Sequence, residues 1–381
     1  MERQHFKTVV IGGSNSVIKT GYLVEAVKNG KNLGLDLDII EDMAIGGTTI
    51  LNGLFRLKRS KELANADVLI IEYALNDTPT YAHDMRSRSF ITHWARAYEG
   101  VIRYARTVNP NIRIISMILE AKTPLEKRQM NLVYAGVHYL SSYYGTELID
   151  VASAVLRSVG SDRAFTNEFY KDGFHYKPTV FKSTAGMLLS QLMTPPRQPL
   201  PLPEPLDPRN FSEVSAWGVE DLDSAWNLPL KTYENSKFSF DALMLGEKDL
   251  SFTLEDGKLL ALIYINDPDT GIVHYQVDDQ YYASYMQKPG VRSGAFPFIV
   301  GMLSCEFLHP KQLMVPERTR SYRISARDMG EPLAKLYRPK ANVFHTSPDN
   351  PTLALTGLLY TGTLTDLKLL EPAEDRVLET A

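Results

Sequence analysis

The sequence predicts an α/β domain built on a parallel sheet, joined by a proline-rich connector to an all-β domain of sandwich or jelly-roll-like type. Three observations predict it. In the first half, contiguous apolar runs alternate with longer helical stretches, the pattern of strands covered on both faces by crossover helices. In the second half, short runs rich in β-forming residues succeed one another between turn sequences. Between the two, prolines stand at positions 195, 196, 199, 201, 203, 205 and 208. That density can neither sustain a helix nor pair inside a sheet, so the segment reads as extended and semi-rigid. The expected division is a domain over 1–194, a connector over 195–208 and a second domain over 209–381, within the two to three domains that 381 residues allow at roughly 150 each.

Taken in order, Lys7–Ile11 reads as the first buried strand because Val9, Val10 and Ile11 are contiguous. Ser16–Asn29 follows as a helix, with Val17, Tyr22, Leu23, Ala26 and Val27 along one side. Leu35–Ile40, Asp67–Tyr73, Ile112–Leu119 and Glu147–Val151 are further strands, with helices near Phe90–Thr107, Pro124–Tyr144 and Thr179–Met193. In open sheets of this class ligands bind beyond the carboxyl ends of the strands, so polar residues there are the candidates for chemistry. After the connector, Leu250–Leu254, Leu259–Ile265, Ile272–Val277, Ser321–Ala326 and Leu353–Leu359 read as short strands. Asp256-Gly257, between two apolar runs, predicts a hairpin turn.

Composition excludes several classes. With 44% hydrophobic and 23% charged residues the chain is not a disordered one. The net charge of -4 argues against a grip on nucleic acid, although the charge is uneven: +4 over the first 195 residues and −8 over the rest. No apolar run approaches the roughly 18 residues that cross a bilayer, so membrane insertion is not expected. The amino terminus runs directly into strand-like sequence with no signal-peptide core, which favours a cytoplasmic location. One cysteine, Cys305, excludes an intramolecular disulfide and a cysteine zinc cluster, and reads as a buried apolar residue. No two histidines have metal-ligand spacing, and neither a metal nor a cofactor is expected.

The strand ends carry a distinctive series. Gly12-Gly13-Ser14-Asn15-Ser16 follows the first strand, Gly46-Gly47-Thr48 the second and Tyr73-Ala74-Leu75-Asn76-Asp77 the third. Asp172-Gly173-Phe174-His175 precedes the last helix of the domain. The first cluster is an ordinary tight strand-to-helix turn or a phosphate cradle, but it lacks the G-x-G-x-x-G spacing and the lysine of a P-loop. It does present a serine hydroxyl at a helix start. A carboxylate three residues before a histidine can accept from Nδ1–H and turn Nε2 toward a hydroxyl.

A serine at the first strand end, a glycine at the second, an asparagine at the third and a late D-x-x-H together resemble the SGNH/GDSL hydrolase superfamily. The resemblance spans roughly Lys7 to Met193. It implies a flavodoxin-like three-layer α/β/α domain with Ser14 as nucleophile, His175 as general base and Asp172 orienting His175. It also implies an oxyanion hole made of the Ser14 N–H, the Gly47 N–H and the Asn76 amide. The sequence departs from the family in reading Gly12-Gly13-Ser14 where Gly-Asp-Ser is usual, and Ala74-Leu75-Asn76-Asp77 where Gly-x-Asn-Asp is usual. Ser16 is a rival nucleophile that would face away, and Gly46 is a rival to Gly47.

Within the resemblance the sugar-esterase branch fits best, because those enzymes often pair this domain with a β-sandwich. The expected activity is removal of an O-acyl group, acetyl first, from a carbohydrate. The same residues could serve an O-acetyltransferase drawing on acetyl-coenzyme A, and a non-catalytic carbohydrate-binding protein is a third reading. The second half offers Tyr264, Tyr275, Tyr281, Tyr282 and Tyr285 as strand packing or as a sugar platform. Trp217 and Trp226 are candidates for an interdomain contact.

Overall fold

The computed structural model describes residues 4–82, 89–123, 131–196, 201–222, 229–305, 318–337 and 348–371. The chain forms two compact units that divide between residues 213 and 214.

The first unit runs β1 (Gln4–Gly12), α1 (Ser14–Val17), α2 (Tyr22–Gly30), β2 (Leu35–Asp42), α3 (Ile50–Lys58), β3 (Val68–Glu72), α4 (Ala74–Asp77), α5 (Ser89–Val108), β4 (Arg113–Ile118), α6 (Leu132–Tyr144), β5 (Glu147–Asp150), α7 (Val151–Val159), α8 (Ser161–Ala164) and α9 (Pro178–Met193). The sheet order is β2-β1-β3-β4-β5 and every pairing is parallel. Side chains alternate across the pleat, and both faces are dry. Val10, Val68, Ile70, Ile115 and Met117 pack with residues of α2 and α9 in one core. Their neighbours Val9, Ile11, Leu69, Ile71 and Ile114 are equally buried and serve the opposite layer, where α3 packs against α5. Three layers with a parallel sheet in the middle is the architecture the sequence predicts.

The expected single helix over Ser16–Asn29 is two pieces, because the chain turns at Ile18–Gly21 with Gly21 N–H donating to Ile18 O at 2.8 Å. The predicted helix over Pro124–Tyr144 begins at Leu132, capped by the Asn131 side chain, and positions 124–130 lie outside the described residues. The proline-rich segment, where described, is tied down along α5. Glu99 accepts from Leu206 N–H at 2.6 Å and Asp207 N–H at 3.1 Å, Arg96 pairs with Asp207 at 2.7 Å, and Arg103 donates to Pro203 O at 2.7 Å. Residues 201–213 therefore belong to the first unit, a few positions beyond the expected boundary.

The second unit contains β6 (Ser215–Gly218), β7 (Leu230–Glu234), β8 (Ser239–Leu245), β9 (Asp249–Gly257), β10 (Leu259–Asn266), β11 (Ile272–Val277), β12 (Gln280–Tyr285), β13 (Ile299–Ser304), β14 (Arg318–Ser325), β15 (Leu333–Tyr337), β16 (Leu353–Tyr360) and β17 (Thr363–Leu370). One sheet has the order β13-β10-β16-β8-β7, with β6 added to β16, and the other β15-β12-β11-β14-β9-β17. Residues from both sheets, among them Leu262, Tyr264, Leu355, Phe252, Tyr275 and Ile324, share one core, so the two sheets form a sandwich. Cys305 is buried there. Trp217 is also a buried member of this unit's own core, where a place at an interdomain contact was expected, and Trp226 lies outside the described residues. Of the tyrosines, Tyr264, Tyr275 and Tyr282 pack in the core.

The hairpin expected at Asp256-Gly257 is not one. β9 pairs with β14 and β17, whereas β10 pairs with β13 and β16, so the turn carries the chain from one sheet to the other. Asp256 takes the positive φ of 46°. Gly257 is needed because a Cβ there would lie 1.9 Å from Thr361 O, in the second corner that crosses between the sheets. A tight hairpin joins β11 to β12 through Asp278-Asp279, with Val277 opposite Gln280 and Asp278 at φ 51°.

Candidate active site

The strand ends of the first unit converge as the sheet topology requires. β1 and β3 are neighbours at the centre, so the turn after β1 and the turn after β3 lie side by side. Past β2, Met43 N–H and Ile45 N–H donate to Val10 O and Gly12 O at 2.9 Å, which carries the chain along β1 and delivers Gly46-Gly47 beside the first turn.

Ser14 opens α1 and is half-buried. Its Oγ lies 2.9 Å from His175 Nε2. The other ring nitrogen, Nδ1, is 2.9 and 2.8 Å from the two Asp172 oxygens. Asp172 Oδ1 also accepts from the N–H groups of Phe174 at 2.8 Å and His175 at 2.9 Å. Partial desolvation raises the Asp172 carboxyl, but these backbone donors and the imidazole outweigh it, and the group sits below the usual carboxylate value. A hydroxyl, an imidazole and an ionised carboxylate are therefore linked in series, within reach for proton transfer from Ser14 to His175.

The histidine loop is held from below by two tyrosines that flank the Asp–His segment. Tyr170 and Tyr176 form an isolated antiparallel bridge, and their rings pack at 4.5 Å. Their hydroxyls bond each other at 3.0 Å and grip the backbone of Glu120 beyond β4: Tyr170 OH donates to its carbonyl at 2.9 Å and Tyr176 OH accepts from its N–H at 3.2 Å. Lys122 N–H donates to Gly173 O at 2.9 Å on the same side.

Asn76 stands on the single turn of α4, and its Nδ2 donates to Thr48 O at 2.9 Å. An amide nitrogen carries two N–H groups, and this bond uses one. The amide lies directly against Gly13: a Cβ on residue 13 would come within 2.5 Å of Asn76 Nδ2. This explains Gly12-Gly13-Ser14, since room that a side chain would take is filled by the asparagine. Gly46 packs against Ser14, its Cβ position 3.4 Å from Ser14 Cβ, and Gly47 is exposed at φ +75°. The N–H groups of Ser14 and Gly47 make no turn or loop bond among the described residues. Asp77, fully buried, accepts from Ile50 N–H at 2.9 Å and Trp94 Nε1 at 2.8 Å and so fixes the far end of the glycine loop. Burial pushes its carboxyl up to about 8.

Ser16 is buried and engaged elsewhere, 2.8 Å from Tyr22 OH and donating to Glu72 Oε2 at 3.0 Å. It bonds no member of the serine–histidine–aspartate series among the described residues. Glu72 itself was not singled out from the sequence. It ends the wholly buried strand β3, accepts from Gly13 N–H at 3.3 Å, and is pushed up to about 7 by burial, against the Ser16 and Gly13 donors that lower it. A carboxylate closing an apolar run was the signal available. Asn15, also unremarked, is fully buried and donates from Nδ2 to Phe174 O at 3.1 Å.

No protein-family model and no curated protein sequence matches the chain. Among solved structures it is similar to a two-domain esterase active on acetylated mannans, co-crystallised with mannopentaose. The identity is 12% over 95% of this chain and 92% of that one, with a TM-score of 0.62. A second structure of a two-domain esterase active on acetylated mannans matches with a TM-score of 0.57 at 12% identity, over 94% of this chain and 92% of that one. At such identity the likeness is one of fold, and it covers both units: the α/β first unit and the β-sandwich second unit occur together in a single known chain.

Proposed function

We propose that the chain is a serine esterase that removes an O-acetyl group from a carbohydrate through an acyl-enzyme on Ser14. The observation that carries this reading is the 2.9 Å contact of Ser14 Oγ with His175 Nε2, whose far nitrogen is held by Asp172. His175 takes the Ser14 proton as Oγ attacks the acetyl carbonyl. The tetrahedral oxyanion is met by the N–H groups of Ser14 and Gly47 and by the free N–H of Asn76. His175 then returns its proton to the departing sugar oxygen, leaving acetyl on Ser14. Water, deprotonated by His175, adds to that ester; its collapse releases acetate and reprotonates Ser14. Each oxyanion donor contributes about 2.7–4 kcal/mol of transition-state stabilisation in such sites.

The carbohydrate assignment is supported by the fold shared with a two-domain esterase active on acetylated mannans. Acetylated manno-oligosaccharides are accordingly the first natural substrates to assay, beside nitrophenyl acetate. Ser14→Ala should remove acetate release from both. A variant that keeps the wild-type rate would show that Ser14 is not the nucleophile.

A further inference from the structure

The bond between Asn15 and Phe174 joins two segments 159 residues apart in the chain. Its place is unusual. Asn15 follows the serine, and Phe174 O belongs to the peptide unit whose nitrogen is that of His175. The N–H of that same unit donates to Asp172 Oδ1 at 2.9 Å. The peptide that carries the imidazole is thus held at its nitrogen by the aspartate and at its oxygen by the residue next to the serine. The neighbouring backbone is fixed as well, with Lys171 N–H donating to His175 O at 2.8 Å and Phe174 N–H to Asp172. These other restraints tie the histidine loop to itself or to the segment after β4. Among the described residues, the polar links from the nucleophile turn to the histidine loop are the Asn15 amide and the Ser14–His175 contact itself.

The amide orientation is set by chemistry. A carbonyl can only accept, so Nδ2 must face Phe174 O, and the reverse orientation would oppose two oxygens. Asn15 is completely buried, and its Oδ1 finds no partner among the described residues. A leucine or alanine would avoid leaving that acceptor unpaired, so the asparagine carries a cost that its bond to Phe174 O must offset.

We propose that Asn15 is a positioning residue that sets the separation of Ser14 Oγ and His175 Nε2 by clamping the Phe174–His175 peptide. The proposal rests on the esterase reading, because it assigns Asn15 a task only if proton transfer between Ser14 and His175 matters. Loss of such a restraint loosens a contact whose misplacement by about 1 Å costs on the order of 100-fold in rate.

The test uses Asn15→Ala and Asn15→Asp with nitrophenyl acetate, alongside melting temperatures at each pH. Asn15→Ala should lower kcat about 10- to 100-fold with KM unchanged. In Asn15→Asp the ionised carboxylate repels Phe174 O, whereas the protonated acid supplies an O–H donor in the place of Nδ2–H. Its rate relative to wild type should therefore rise as pH falls, while the ratio for Asn15→Ala stays flat. Wild-type kcat in Asn15→Ala, or losses that only follow a falling melting temperature, would overturn the proposal. The rate of Ser14 labelling by a fluorophosphonate separates the two levels of failure. Equal labelling of wild type and Asn15→Ala removes the positioning role and leaves the esterase reading standing. A wild-type protein that does not label at Ser14 overturns both.

Discussion

The buried carboxyl of Glu72, beneath the turn that carries Ser14, should make folding stability fall as pH rises. Glu72 is fully buried, and its pKa is raised from an ordinary 4.5 to about 7. Below pH 4.5 the group is protonated whether the chain is folded or not, and it contributes no pH dependence. Between 4.5 and 7 the unfolded chain releases the proton and the folded one keeps it, so the unfolded state gains and stability falls with rising pH. Above 7 both states are ionised and the loss is complete. At about 1.4 kcal/mol per pH unit, crossing that window costs about 3 kcal/mol. Glu72→Gln cannot ionise, yet its amide oxygen can still accept from Gly13 N–H and Ser16 Oγ. Denaturant unfolding of wild type and variant from pH 4.5 to 8.5 should show the variant gaining about 3 kcal/mol relative to wild type across the range. The Glu72 charge also raises Asp77, so the substitution relieves a second carboxyl in the same direction. Parallel curves for the two proteins would refute the argument.

Two further outcomes follow from the site geometry. Gly13→Ala places a methyl group 2.5 Å from Asn76 Nδ2 and must displace that amide from Thr48 O. It should lower kcat on nitrophenyl acetate by about 10²–10³-fold, the cost of one oxyanion donor, and Asn76→Ala added to it should cost little more. Asp172→Asn sets an amide where the imidazole N–H needs an acceptor, so the wrong tautomer faces Ser14. A rate lowered by about 10²–10⁴-fold but still measurable is expected, and an unchanged rate would separate Asp172 from the chemistry.

Much of the first unit was legible because its strands are buried on both faces, and contiguous runs such as Val9–Ile11 and Val68–Ile71 carry that burial in their composition. What escaped depended on tertiary contact. Helix α3 contains Gly53, a poor helix former, and reads weakly alone. The glycine is there because the Tyr73 ring lies 2.5 Å from where a Cβ would stand. The turn at Asp256-Gly257 had the right local chemistry, but turn residues do not say which sheet receives the next strand. The strand-end residues could be picked out because each marks a break in an apolar pattern. Asn15, Glu72 and the Tyr170–Tyr176 pair act through partners up to 159 residues away, and no spacing announces them.

An activated Ser14 nucleophile served by His175, as proposed, should react with an electrophile that traps serine hydroxyls. The most direct measurement is mass spectrometry of the intact protein and its peptides after reaction with a fluorophosphonate. One covalent phosphonyl group is expected, located on Ser14 and absent from Ser14→Ala and His175→Ala. A label on Ser16, or a wild-type protein that remains unlabelled, would contradict it.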